Sequence, residues 1–388
     1  MSDKVIYLDN NATTPVDPRV VDAMLPYFTE NYANAASFSH EPGRNAADAV
    51  DHARVQIATL INAEAKDILF TSGATESINL ALKGVAGFYD KKGKHIIISA
   101  IEHKAVFESC DYLKNQGFKV DIVSVDSEGN IDFKELNSLL KAETILVSIQ
   151  HANNEIGSVQ NLQDIGELCR ENGTLLHVDA AQSFGKVVID VEAMKIDLMS
   201  ISGHKIYAPK GIGALYVRRK SPRVRLVAQV HGGSQEREFR AGTLNVPGIV
   251  ALGKAAEIAK TEMAAEKKRL IQLTDNFVSR LKNNFEDISF NGGQGKELPG
   301  NLNITIDGVD ARELLCSLPG FALSTGSACS SAMPEPSHVL KAIGVTGESA
   351  ASTFRIGLGR MTTEEEVEKA VEAITLKIKE FRKCEKSA

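Results

Sequence analysis

Little in this chain of 388 residues points to a stapled or metal-built module. Its five cysteines, at 110, 169, 316, 329 and 384, form no CxxC pair and are odd in number. That pattern gives neither a disulfide framework nor a zinc signature. No apolar run approaches the roughly 18 residues of a membrane span. Met1-Ser2-Asp3-Lys4 lacks a signal-peptide pattern and leads into the apparent strand Val5–Leu8. Basic residues are not in excess: 44 against 50 acidic ones give a net charge of −6. A bulk-basic nucleic-acid binder is therefore disfavoured. There is no GxxxxGKS/T and no strand-linked GxGxxG, so nucleotide-binding readings lose support. No 20–50-residue repeat is visible either. What is present, 43% hydrophobic and 24% charged residues, suits a soluble cytoplasmic protein with reduced thiols and a sizeable core. The length suggests two or three domains, or one large α/β domain with an appendage.

From about residue 65 to 218, short β-branched runs alternate with helical stretches. Strands are predicted at Ile68–Thr71, His95–Ser99, Val120–Val125, Ile145–Ile149, Leu175–Asp179, Asp197–Ser202 and Ala214–Val217. Helices are predicted between several of them, at Thr75–Phe88, Lys104–Asn115, Asp132–Leu140 and Leu162–Glu171. Consecutive apolar positions such as Ile96-Ile97-Ile98 fit strands covered on both faces, and the rhythm predicts a mostly parallel α/β sheet. After residue 218 comes an Arg-, Gly- and Gln-rich loop to about 245, then a long helical stretch, Ile249–Asn284. Strand candidates Asn301–Ile306, Ala322–Thr325 and Thr353–Leu358 come next, with a final helix over Thr363–Arg382. We read a large α/β domain followed by a smaller α+β domain. The site is expected between them, at the carboxyl ends of the large-domain strands.

Five of those strand ends carry polar groups. Ser202-Gly203-His204-Lys205 places a lysine at the mouth of the sheet, where desolvation or a nearby cation would supply an amine for a Schiff base. By itself the tetrapeptide reads as a surface lysine in a turn. One strand earlier, His177-Val178-Asp179 ends in an acid able to pair with a protonated pyridine nitrogen, and Ala180-Ala181-Gln182 comes directly after it. Alone, Asp179 would be a helix cap or a loop residue. Thr71-Ser72-Gly73-Ala74-Thr75-Glu76 offers amides and a hydroxyl for phosphate at a helix N-terminus, or else simple capping. His103, after the Ile96–Ser99 run, suits stacking on a flat ring or proton transfer, against an exposed helix-start histidine. Asn153-Asn154-Glu155-Ile156-Gly157 adds amide donors at the same edge.

These motifs resemble a pyridoxal-phosphate-dependent cysteine desulfurase of the class V aminotransferase superfamily. The resemblance runs from Tyr7–Pro15 through Thr71–Glu76, Asn153–Gly157, His177–Gln182 and Ser202–Lys205. It continues through His231-Gly232-Gly233, Arg240-Ala241-Gly242-Thr243 and Gly326-Ser327-Ala328-Cys329. The opening is similar to the nitrogen-fixation/iron–sulfur-cluster type, and the segment to Pro336-Ser337-His338 to its long-loop branch. The resemblance implies an aspartate-aminotransferase-like fold. A large domain would span residues 16–255, and a small one 1–15 and 256–388, the latter carrying the mobile cysteine loop. Lys205 would carry pyridoxal phosphate and Asp179 would pair with its nitrogen. His103 would stack and move protons, and Asn154 and Gln182 would bond the ring oxygen. Ala74, Thr75, Ser202 and His204 would hold the phosphate, with Thr243 reaching the cofactor of the partner subunit in a homodimer. Asn154 and Arg355 would bind the substrate, L-cysteine, the arginine clamping its carboxylate.

Cys329 would then take the sulfur as a persulfide and release alanine, its thiolate being the nucleophile. Cys110, Cys169 and Cys316 read as small core hydrophobes, and Cys384 as part of a frayed tail. Sulfur supply to iron–sulfur cluster assembly and to transfer-RNA thiolation both start from such a persulfide, so a scaffold or sulfur-acceptor protein is the expected partner. Pro334 departs from the leucine common in relatives. The chain ends soon after its last helix, without the longer tail with which housekeeping relatives dock a scaffold. Two other readings stay open at this point: a class V aminotransferase or selenocysteine lyase that does not need Cys329, and an inactive homologue that binds a sulfur carrier. Neither a metal, a membrane nor direct nucleic-acid binding is expected.

Overall fold

The computed structural model describes residues 5–293, 297–325 and 337–385. In chain order the strands are β1 (Ile6–Tyr7), β2 (Ile68–Thr71), β3 (His95–Ser99), β4 (Lys119–Val123), β5 (Thr144–Gln150) and β6 (Leu175–Asp179). Then come β7 (Leu198–Ser202), β8 (Gly213–Val217), β9 (Ile288–Phe290), β10 (Asn301–Ile306), β11 (Phe321–Ala322) and β12 (Thr353–Gly357). The helices begin with α1 (Pro18–Met24), α2 (Pro26–Thr29), α3 (Glu41–Leu60), α4 (Ala74–Tyr89), α5 (Lys104–Asn115), α6 (Phe133–Leu139) and α7 (Leu162–Asn172). They end with α8 (Val246–Lys282), α9 (Ala311–Cys316), α10 (His338–Ala342), α11 (Gly347–Ala351) and α12 (Glu364–Glu385).

Seven strands form the main sheet in the order β2-β8-β7-β6-β5-β3-β4. Neighbours run parallel except at β8, which is antiparallel to both β2 and β7. The sheet is therefore mostly parallel, as the alternating pattern predicted. Reversing β8 has a consequence for the site: β2 and β7, flanking it, share one direction, so β2, β3, β5, β6 and β7 all end at one edge. Side chains alternate across the sheet with period two. Ile97, Val147, Leu176, Val178 and Met199 face a core shared with α3, α7 and the first half of α8. Ile96, Ile98, Leu146, Leu175 and Leu198 face the opposite core under α4 and α5.

A second packing unit surrounds the antiparallel sheet β12-β10-β9. Its core joins Leu8, Ile304, Ile306, Phe354 and Ile356 to Leu270, Leu273, Phe277 and Leu281 of α8, with α9 and α12. The helix α8 thus serves both units, and its apolar anchoring is interrupted between Ala259 and Leu270, where the charged stretch Lys260–Arg269 has no buried residue.

Several sequence boundaries move. The strand expected at Ala322–Thr325 is only β11, paired in parallel with β1, because Ser324 bonds instead to the backbone of Arg355. Helix α12 continues to Glu385, beyond the Arg382 at which the pattern ended it. Cys110 and Cys169 are buried as expected, but Cys316 is exposed. The apolar Glu313–Cys316 run put it in the core; at the last turn of a six-residue helix, Leu314 takes the inward position and Cys316 turns outward.

Candidate active site

The five converging strand ends, the entry to β8 and β12 enclose one cavity of about 600 Å³. Its walls include Ala74, Thr75, His103, Asn154, Asp179, Gln182, Ser202, His204, Lys205 and Arg355. All the sequence-predicted site residues among those described, except Thr243, thus meet around one space. Thr243 is exposed and lies away from it in the same chain. Cys329 lies outside the described residues.

Lys205 is set by its turn. After β7 the chain enters a short 3₁₀ segment, Gly203–Lys205, in which the Gly203 amide donates to the Ile212 carbonyl at 3.0 Å. A Cβ on Gly203 would lie 2.9 Å from that same carbonyl oxygen, so only glycine lets the strand end turn this tightly. The N-terminal segment then locks the turn. Thr14 donates from its amide and its hydroxyl to the His204 carbonyl, each at 3.0 Å, and accepts from the Tyr207 amide at 2.9 Å. The same segment presents the carbonyls of Asn11 and Ala12, to which Lys205 Nζ donates at 2.6 and 2.7 Å. The Asn10–Pro15 motif is thereby explained as the cradle of the lysine.

Asp179 ends β6 wholly buried, its carboxyl accepting from the Ala181 amide at 2.9 Å. Burial raises its pKa above the ordinary 3.8, against the pull of His103 and Lys205. Gln182 Nε2 donates to the Asn11 carbonyl at 2.7 Å, while its Oε1 faces Lys186 Nζ at 3.4 Å. His103 caps α5, Nδ1 accepting from the Ala105 amide at 3.1 Å, so the helix-cap reading and the cavity position hold together. His204 Nδ1 lies 3.0 Å from Thr13 Oγ1. Burial, helped by Lys205 and Lys210, lowers its pKa to about 4, which leaves a neutral ring at pH 7. Arg355 is 1% exposed; its Nη2 meets Asp9 Oδ1 at 2.6 Å and its Nη1 donates to the Asn154 carbonyl at 2.7 Å. Two anchors on different segments fix the plane of the guanidinium.

The start of α4 offers donors that suit an anion such as a phosphate. Gly73, with φ +154°, turns the chain out of β2 so that the first amides of a 16-residue helix face the cavity beside Thr75. Arg240 pairs with Glu76 at 2.9 Å and ties the 219–245 loop to this helix.

With this geometry in view, a family model described as Aminotransferase class-V matches residues 6–370. The chain belongs to the class V aminotransferase family. It is 52% identical over 377 residues to the cysteine desulfurase IscS of Anaeromyxobacter dehalogenans (strain 2CP-C), across 97% of this chain and 93% of that relative. The cysteine desulfurase IscS of Shewanella oneidensis is 52% identical over 379 residues, with the same shares covered. A solved NifS-like protein superposes with a TM-score of 0.90 at 38% identity, covering 97% of this chain and 99% of that one. A structure described as SspA in complex with cysteine has a TM-score of 0.82 at 39% identity, over 91% and 98% of the two chains.

Class V aminotransferases of the IscS and NifS type are pyridoxal-phosphate enzymes, and the cavity fits that group. It offers an amine on Lys205, a buried acid on Asp179, amides on Gln182 and Asn154, and helix-start donors for a phosphate. No set of three or more metal-ligating side chains comes together among the described residues.

Sequence reasoning missed Asn11, Ala12, Glu102, Gln150, Glu155, Lys210 and His338, which also line the cavity. Asn11 and Ala12 act through carbonyls, which no side-chain pattern reports. Glu102 and Gln150 were adjacent to recognised residues, and only pairing between β3 and β5 shows that they meet.

Proposed function

We propose that the protein is a pyridoxal-phosphate-dependent cysteine desulfurase that converts L-cysteine to L-alanine and holds the sulfur on Cys329. The observation that carries this reading is the convergence of Lys205, Asp179, His103 and Arg355 on one cavity, in a chain half identical to cysteine desulfurases over nearly its full length. Pyridoxal phosphate, when bound, supplies the electron sink for the pair left at the substrate Cα.

The chain's own residues do the rest. Arg355 binds the substrate carboxylate through parallel N–H donors. Lys205 Nζ gives up its two carbonyl partners, takes the Cα proton and returns it. Asp179 would set its carboxylate against the ring nitrogen and so favour the protonated nitrogen. Gln182 and Asn154 would bond the ring oxygen, while Ala74, Thr75, Ser202 and His204 would hold the phosphate. The Cys329 thiolate then forms a bond to the substrate sulfur as the carbon–sulfur bond breaks. The electron pair passes to the substrate carbon, which takes a proton, and alanine leaves. His103 moves protons at this stage.

Thr243 is exposed and does not line its own chain's cavity, which supports its service to a partner subunit's phosphate in a homodimer. The chain divides into a large cofactor unit over 16–255 and a small unit from 1–15 and 256–388; the two cores sharing α8 support this. Among the described residues no helix is long and apolar enough to cross a membrane, which is compatible with work in the cytoplasm. Iron–sulfur scaffold proteins are the sulfur acceptors we favour, with transfer-RNA thiolation a second outlet. Borohydride reduction tests the assignment of the lysine: wild type should retain a covalently fixed cofactor on the peptide containing Lys205, and Lys205→Ala should retain none. An adduct persisting in that variant would show the wrong lysine was chosen. Transfer of sulfur-35 from labelled cysteine to candidate scaffolds tests the outlet, and label that stays on the enzyme alone would refute it.

A further inference from the structure

Among the carboxyls of the cavity wall that the desulfurase reaction does not use, Glu76 pairs with Arg240 and Glu155 with the Ser337 hydroxyl, whereas Glu102 has neither kind of partner. Glu102, in the turn between β3 and α5, is 1% exposed. Its Oε1 accepts from the Gln150 amide at 2.6 Å, at the last residue of β5. Gln150 is in turn the register partner of Asp179 on β6, so the two buried acids sit one strand apart. Among the described residues Oε2 is buried with no hydrogen-bond partner, and no lysine or arginine is among the groups that act on the carboxyl. The backbone of the same turn is also tied down. Asn153 Nδ2 donates to the Ile101 carbonyl at 3.0 Å, and His338 Nε2 lies 2.9 Å from the Glu102 carbonyl oxygen. The next residue is His103.

We propose that Glu102 is a positioning residue that works as a neutral carboxylic acid: Oε1 ties the His103 turn to the end of β5, and the proton on the carboxyl keeps Glu102 from placing a second negative charge beside Asp179. A buried carboxylate without a cation would bear a desolvation penalty of several kcal/mol, and a second one close by would add repulsion. Protonation removes both. Burial, with Asp179 adding to it, pushes the Glu102 pKa well above 4.5. Around it stand Cys110 from α5, Asp179 from β6 and His338 from α10, with Lys205 and Arg355 across the cavity. The arrangement also decides where charge falls when a pyridine nitrogen is seated. Asp179 then faces it with no second anion contributed by Glu102.

This inference rests on the cofactor reading for its purpose, but its first test does not need the cofactor. Infrared difference spectroscopy between wild type and Glu102→Gln, with cofactor removed, should show a protonated carboxylic-acid band in wild type at neutral pH that the variant lacks. A band in the carboxylate region instead would overturn the proposal. In the cofactor-loaded proteins, Glu102→Gln should leave the pH midpoint of the cofactor absorbance where it is in wild type, since a neutral amide replaces a neutral acid. A midpoint displaced by about half a unit or more would mean that a charge had been removed. Glu102→Ala, which loses the tie to Gln150, should lower kcat by roughly tenfold or more through a misplaced His103, and Glu102→Gln should restore most of that loss. Equal kcat in wild type and Glu102→Ala would refute the positioning role. Should Glu102→Ala fail to fold, the infrared band still decides the protonation state. Failure of cofactor binding in wild type itself would instead count against the desulfurase function.

Discussion

The imidazole of His177 lies in the middle of the main sheet and should make the protein acid-sensitive in a defined way. Its Nδ1 is 2.8 Å from Ser148 Oγ on β5 and its Nε2 2.9 Å from Ser200 Oγ on β7. A neutral ring needs one donor and one acceptor, and two hydroxyls supply both. The ring is fully buried, and burial lowers its pKa from the ordinary 6.5 to about 3. The unfolded chain binds a proton below 6.5 while the folded chain resists it, so stability is complete above 6.5 and falls as pH drops toward 3. At about 1.4 kcal/mol per pH unit, this one residue accounts for about 2 kcal/mol lost between about pH 7 and pH 5. Other titrating groups are removed by difference: the stability gap between wild type and His177→Gln in urea unfolding should shrink by about 2 kcal/mol over that range. Nuclear magnetic resonance of labelled histidine should show His177 neutral throughout it. A constant gap, or ring signals that titrate between those limits, would refute the reasoning. The strap matters for chemistry because Asp179 ends the same strand, two residues on.

Other consequences arise from buried contacts. Glu236, at φ +43°, receives both terminal nitrogens of Arg54, at 2.8 and 2.9 Å, and the Phe70 amide at 2.7 Å. Glu236→Ala strands a buried guanidinium and should destabilise the protein by about 3–5 kcal/mol in urea unfolding; a change within about 0.5 kcal/mol would contradict the anchor. Burial pushes the thiols of Cys110 and Cys169 up to about 12. Iodoacetamide near neutral pH should therefore modify Cys316 and spare both, read by peptide mass spectrometry. His204 is neutral at pH 7, with its pKa lowered to about 4. His204→Asn should therefore leave the pH midpoint of activity above pH 6 unmoved; a shift there would mean that the ring is charged.

How much of this was legible in the sequence depended on how local the signal was. Asp179, Lys205 and His103 each come after a β-branched run, and a parallel sheet gathers at one edge the residues just beyond its strands. The reversal of β8 was not legible, since its apolar residues satisfy either direction. Helix α3 was not among the predicted helices, although Ala46, Val50, Ala53 and Ile57 recur on its inward face at helical spacing. Arg355 was identified, yet its hold on Asp9 spans 346 positions and belongs to tertiary packing alone. Glu102 shows the same limit from the other side. A glutamate beside a histidine reads as an exposed acid, and only the closing of β5 over it shows that it is buried. Cys316 was misplaced for a related reason: four residues of a helix do not fix which side faces in.

The central claim is that sulfur leaves L-cysteine onto a thiol of this chain. The most direct test is the rate of alanine formation from L-cysteine by holoenzyme carrying Cys329→Ala. The account predicts that the variant keeps the absorbance of bound cofactor and forms neither alanine nor persulfide. Alanine formation at the wild-type rate would contradict it.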